Sequence, residues 1–116
     1  MSEAVNAWNG LALWASASQN EALLEQARWM LSLETEAAAD LWLSPTTPPG
    51  FDAPFLAINW GGKRDYATWF SAEPAAALAI LLIPVSPSPR SWSEDGLTGI
   101  SRIASAAAGS AENQVA

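Results

Sequence analysis

Neither cysteine nor histidine occurs in the 116 residues. Their absence excludes disulfide frameworks, dithiol redox chemistry, catalytic triads or dyads built on His or Cys, and zinc sites of the usual ligands. Basic residues are scarce too: five Lys and Arg stand against twelve Asp and Glu, a formal charge of −7 and a pI near 4.2. A nucleic-acid backbone or an anionic bilayer repels such a surface, so neither is expected as a partner. Long apolar runs are missing: the longest, Ala75 to Ile83, is nine residues and ends at Pro84, against roughly 20 for a membrane-spanning helix. Met1-Ser2-Glu3-Ala4 offers neither a basic segment nor an apolar one, so no signal peptide is expected in the chain. The chemistry left is that of carboxylates, hydroxyls, Lys, Tyr and aromatic faces, with no metal or cofactor expected.

What is present fits one mostly helical domain. Half the residues are apolar, ordinary for a folded chain of this length and too many for disorder. Alanine is abundant and there are seven Trp. Val5, Trp8, Ala12 and Ala15 recur at helical spacing behind Ser2, a cap residue, with Asn9-Gly10 as the weak point. After a connection at Ser16 to Asn20, Asn20 caps a second helix in which Leu24, Ala27, Leu31 and Ala38 share a face and Trp42 lies beside it. The short connection predicts an antiparallel helical hairpin. Ser44 to Gly50, with three prolines, ends it. Phe55 to Trp60 reads as a short strand closed by Gly61-Gly62, so the central loop has room for a short β-hairpin. Pro74 opens a third helix to Leu82. Ser91-x-x-Glu94 is a capping-box pattern before a fourth helix over 93–108, with a frayed polar tail after Gly109.

The densest candidate for chemistry is the central segment Ile58 to Phe70, where helical periodicity is lost and two Trp, a Tyr and a Phe stand beside Lys63, Arg64 and Asp65. Loops that keep aromatics beside charges line binding sites, and a sugar ring offers flat C–H faces and hydroxyls to such a surface. The alternative is that Trp60, Trp69 and Phe70 anchor the loop in the core while the charges are solvated. Trp8, Trp14, Trp29, Trp42 and Trp92 sit on helices or their edges and are read as packing residues. Glu34, Glu36 and Asp40 read as a solvated face.

Several stretches carry a resemblance. Ser2-Glu3-Ala4-Val5-Asn6-Ala7-Trp8-x-Gly10-Leu11-Ala12-Leu13 resembles the segment of glycoside hydrolase family 81 that bears its catalytic glutamates. Glu34-x-Glu36-Ala37-Ala38-Ala39 is similar to the family's Thr-Glu-x-Ala-Ala helix. The most specific stretch is Trp60-Gly61-Gly62-Lys63-x-Asp65-Tyr66-Ala67-Thr68-Trp69-Phe70, followed by Glu73-Pro74 and Ile83-Pro84-Val85-Ser86-Pro87.

The resemblance implies a piece of an inverting endo-1,3-β-glucanase acting on laminarin, curdlan or cell-wall β-1,3-glucan. The fold it implies is a partial (α/α)6 barrel of about four helices with the central loop between them. The chain is then one incomplete catalytic-domain piece, 1–116, with 1–90 resembling the family and 91–116 a divergent helix and tail. Inversion needs an acid and a base about 6.5 to 9.5 Å apart. Of the family's Glu-Ser-x-Ser-Glu pair, Glu3 matches the second member and is the catalytic candidate; the first, and the family's general acid, an upstream Asp, have no counterpart here. Isolated, the chain is expected to be inactive. By the same transfer Asn6, Lys63, Asp65 and Tyr66 line the glucan cleft, with Trp60 or Trp69 as stacking aromatic. The family also implies an extracellular protein, and uncovered Ala, Leu and Trp faces imply self-association. Two other readings compete: a non-catalytic glucan-binding module, and a helical interaction protein.

Overall fold

In the computed structural model, residues 2–47, 49–51, 55–60, 63–65, 68, 70–83 and 92–115 are described, with backbone alone at 2, 60, 63, 64, 111 and 113–115. Helix α1 runs Ser2–Ala17 and helix α2 Glu21–Ala38. The corner between them is built by local hydrogen bonding. Gln19 turns left-handed at φ 57°, the Asn20 N–H donates to the Ala15 carbonyl at 2.9 Å and the Gln19 N–H to that of Ser16 at 3.2 Å. That pattern closes the end of α1. Asn20 then starts α2, its side-chain oxygen accepting from the Leu23 N–H at 3.1 Å. Three residues thus fold the chain back into an antiparallel hairpin. Gly10 does not interrupt α1.

Helix α2 was expected to reach Trp42 unbroken. Instead its α-helical bonding stops at Ala38 and Ala39–Leu43 forms a π-turn, closed by the Ser44 N–H on the Ala39 carbonyl at 2.9 Å. The cause lies downstream, because Pro45 disfavours a helical Ser44 and the helix ends by widening. The central segment does hold a β-hairpin: β1, Ile58–Trp60, pairs antiparallel with β2, Lys63–Asp65. Helix α3, Pro74–Leu82, has Pro74 in its first turn. Helix α4, Glu94–Val115, starts two residues later than the Ser91 box implies: the Ser93 hydroxyl accepts from the Gly96 N–H at 3.2 Å. It also runs well beyond Gly109, where one glycine costs only about 1 kcal/mol and the Ala-rich sequence on either side favours helix.

The described residues are therefore mostly helical. Helix α1 packs on α2, α3 on α4, and the π-turn joins the two pairs by packing on α4. One apolar cluster runs through all of them: Val5, Leu31, Ala38, Leu43, Phe55, Leu78, Leu81, Trp92 and Ile103. Burying each large member stabilises the chain by roughly 1.5–3 kcal/mol. The contact between the pairs is tight. A Cβ on Gly99 of α4 would stand 2.7 Å from the Leu43 carbonyl oxygen, and Arg102 reaches back to donate to that same oxygen at 2.8 Å while its guanidinium lies 5.0 Å from the centre of the Phe55 ring. The whole is elongated, 50 × 33 × 27 Å with a radius of gyration of 15.7 Å, against roughly 13 Å for a compact domain of this length.

Candidate active site

Glu3 stands exposed in the first turn of α1, where the helix dipole favours an anion. Asn6 follows one turn later on the adjoining face. It is half-buried, and its Oδ1 atom has no hydrogen-bond donor among the described residues. Val5, between them, shares the core cluster with Leu43. The antiparallel hairpin therefore sets the Glu3 turn at the same end as the π-turn.

The β-hairpin is attached to that π-turn. The Asn59 side-chain amide donates to the Leu41 carbonyl at 2.9 Å, one of the carbonyls that the widened turn leaves outside the α-helical ladder. Ile58 pairs with Asp65, Asn59 with Arg64 and Trp60 with Lys63. Directly paired residues share a face, so positions 60, 63 and 65 lie on one side of the ribbon and 59 on the other. The ribbon is extended by the Ala57 N–H, which donates to the Asp65 carbonyl at 3.0 Å. Asp65 itself is half-buried.

Of the residues nominated from sequence, Glu3 and Asn6 come together on consecutive turns, and 60, 63 and 65 come together on one ribbon face. For Trp60 and Lys63 the backbone alone is described, and Tyr66 and Trp69 lie outside the described residues. Thr68, between them in sequence, clamps the turn that follows: its hydroxyl donates to the Ser71 carbonyl at 2.7 Å and accepts from the Ser71 N–H at 3.1 Å. Inside that clamp Phe70 is 53% exposed, so it is not the core anchor that the alternative reading required. Three surface hollows lie along the outer face of α4 at Leu97 and Ser101, at the α1–α2 corner at Gln19 and Leu24 and over the start of α2 at Glu25 and Arg28. Among the described residues no group of three or more carboxylates is gathered that could hold a metal ion. Among the described residues no helix is long and apolar enough to cross a membrane.

Two kinds of residue escaped the sequence reading. Asn59 lay inside the singled-out segment but was not nominated, because its partner is 18 positions away and no local pattern signals that. Trp14 and Trp29, read as packing, are 61% and 59% exposed. Trp8 and Trp42 do pack partly buried against the core, and Trp92 is inside it.

The Glycosyl hydrolase family 81 C-terminal domain matches this chain over residues 1–96, and the chain belongs to that family. It is similar to a glucan endo-1,3-beta-D-glucosidase of Acetivibrio thermocellus, 25% identical over 88 residues. That match covers 73% of this chain and 11% of the relative, so the chain spans only a small part of that enzyme's length. No solved structure matches the chain.

Proposed function

We propose that these 116 residues are part of the (α/α)6-barrel catalytic domain of an inverting, secreted endo-1,3-β-glucanase, with β-1,3-glucan in a cleft at the Glu3 end of the α1–α2 hairpin. The observation that carries this is the attachment of the ribbon to the π-turn through Asn59 and Leu41, which supports a site shared by Glu3 and Asp65. In such a cleft Glu3 serves as the base that takes a proton from water, or orients the base if that is the neighbouring family glutamate. Asn6, half-buried one turn after Glu3, lines the wall of the cleft. Asp65 and Lys63 bind further hydroxyls, and Trp60, Tyr66 and Trp69 meet the ring faces.

Inverting cleavage also needs a protonated carboxyl to deliver a proton to the leaving oxygen, across a gap of about 6.5 to 9.5 Å that admits the water. Among these residues no second carboxylate is nominated for that role, so the 116-residue chain by itself binds glucan and does not cut it. The test is a graft. This chain's matching segment replaces the 88-residue equivalent in the Acetivibrio enzyme, and reducing-sugar release from laminarin is followed. Retained hydrolysis that Glu3→Gln reduces by 100-fold or more, with tryptophan fluorescence still reporting oligosaccharide binding, supports the reading. Hydrolysis indifferent to Glu3→Gln removes Glu3 from the reaction. A chain whose fluorescence ignores laminari-oligosaccharides is a helical interaction protein instead.

A further inference from the structure

Asn9-Gly10, the weak point of α1 in the sequence, is the one Asn-Gly pair among the five asparagines of the chain. In an open chain such a pair modifies itself, because glycine has no side chain to hinder its own nitrogen when that nitrogen attacks the asparagine side chain. In α1 two features oppose the attack. The Gly10 N–H is committed to the Asn6 carbonyl in the helical ladder, and a helical ψ of about −42° is not the torsion at which the imide ring closes. Asn9 itself is 8% exposed, one turn after the buried Val5, and the helix that α1 packs on is α2.

That protection hangs on a light attachment. Among the side chains described on α1, Val5, Asn9 and Ala15 are buried; Val5 joins the apolar cluster, with Trp8 partly buried against it. A helix held through so little side chain opens on its own more readily than the core does, and Gly10 weakens it further. We propose that Asn9-Gly10 is a deamidation site that the α1–α2 contact keeps closed, so that opening of α1 exposes it and the product prevents α1 from docking again. When α1 lifts, the Gly10 nitrogen gives up its proton and bonds to Asn9 Cγ. The Cγ–NH2 bond breaks, and the amide nitrogen leaves with that proton as ammonia. Water then opens the imide at either carbonyl, which gives aspartate or isoaspartate at position 9.

Both products oppose redocking. Aspartate puts a carboxylate where the folded chain leaves little room for water, and burying an unpaired charge is costly. Neither helix brings a buried cation to it: α1 has no Lys or Arg, and Arg28 of α2 is exposed. Isoaspartate lengthens the main chain by one carbon and breaks the ladder at its middle. A transient opening is thereby turned into a permanent one. This inference stands on α1 and α2 alone and does not depend on the glucan reading.

The test follows the full chain by mass spectrometry in neutral buffer, in urea from none to above the unfolding midpoint. Trypsin releases the peptide that ends at Arg28 and holds Asn6, Asn9 and Asn20; fragmentation locates the mass gain of OH replacing NH2. Asp95-Gly96 closes the same ring by losing water and regains it, with no net change in mass. Conversion is expected at Asn9, fastest in full urea and already rising at concentrations where circular dichroism is still that of the folded chain. Val5→Ala, which loosens α1 without touching the pair, is expected to speed conversion without urea roughly tenfold and to leave the rate in full urea unchanged. Gly10→Ala makes the pair equivalent to Asn6-Ala7, so in full urea Asn9 is expected to fall to the rate of Asn6. Asn9→Asp is expected to lower the urea midpoint, as full conversion of the parent does. Conversion without urea as fast as in full urea overturns the proposal, because the site is then open in the folded chain. So does conversion confined to full urea with Val5→Ala no faster, or an Asn9→Asp chain as stable as the parent.

Discussion

The side-chain amide of Asn59 and the main-chain carbonyl of Leu41, 18 positions apart, are joined by a 2.9 Å hydrogen bond. It connects the β-hairpin to the π-turn. Two carbonyls of that turn are taken by partners from opposite directions: Leu41 by Asn59 on the ribbon, and Leu43 by Arg102 on α4. A uniform α-helix would have spent more of its carbonyls internally. The widened turn is thus the junction on which the helical hairpin, the ribbon and the last helix all depend.

Asn59→Leu tests that junction. It removes the donor and leaves the Leu41 carbonyl to water, a loss of about 0.5–1.5 kcal/mol. The urea midpoint is expected to fall accordingly. Limited proteolysis is expected to cut first between 55 and 65, because the ribbon is a lone two-stranded hairpin with little stability of its own. An unchanged cleavage pattern shows the ribbon to be held by something else.

Arg102→Lys is the second test. Lysine keeps the charge but not the planar group that donates to Leu43 at 2.8 Å while lying 5.0 Å from the Phe55 ring centre. Arginine and lysine differ at such stacked sites, and cation–π contacts contribute about 0.5–1 kcal/mol where exposed and more where desolvated. A loss of about 1 kcal/mol is expected on thermal unfolding, and Arg102→Met is expected to lose more. Equal stability of the lysine variant rules out the geometry as the source.

Gly99→Ala places a methyl group 2.7 Å from the Leu43 oxygen and 3.0 Å from its carbon. Backbone cannot swing aside as a side chain can, so α4 must lift from the π-turn. Overpacking of this kind costs about 1–3 kcal/mol, more than the roughly 1 kcal/mol gained in helix propensity. A lower melting temperature is expected. Gly10→Ala on α1, in open space, is expected to raise it.

These positions mark the limit of what the sequence could reveal. Asn20, Pro74 and the 3.6-residue spacing of Ala27, Leu31 and Ala38 placed two helices because caps, rings and burial act locally. The π-turn had no such signal, since Ala39-Asp40-Leu41-Trp42-Leu43 suits an α-helix and it is Pro45, together with partners brought by the fold, that changes its winding. The length of α4 was misjudged because Gly109 was weighed without the alanines around it. Glu3 could be singled out by resemblance alone, as one carboxylate at a helix start is ordinary. Trp14 could not be distinguished from a core residue, because periodicity tells which residues share a face and not whether anything covers it.

Phe70 gives the last prediction. It is 53% exposed, and the turn that carries it is closed twice by the Thr68 hydroxyl and once more by the Thr68 N–H on the Ser71 carbonyl at 3.1 Å. An aromatic held out from a clamped turn has already lost the conformational freedom that binding would otherwise take from it, which favours its use as a contact surface. If the glucan cleft runs along this loop, Phe70→Ala lowers laminari-oligosaccharide affinity several-fold while changing the melting temperature little. Thr68→Val, nearly equal in volume but without the hydroxyl, lowers both, because it takes the acceptor from the Ser71 N–H and leaves the turn closed by the main-chain bond alone. Isothermal titration paired with thermal unfolding distinguishes the two. A Phe70→Ala chain that melts much earlier and binds as before assigns the ring to structure, and the stacking role then falls to the tryptophans.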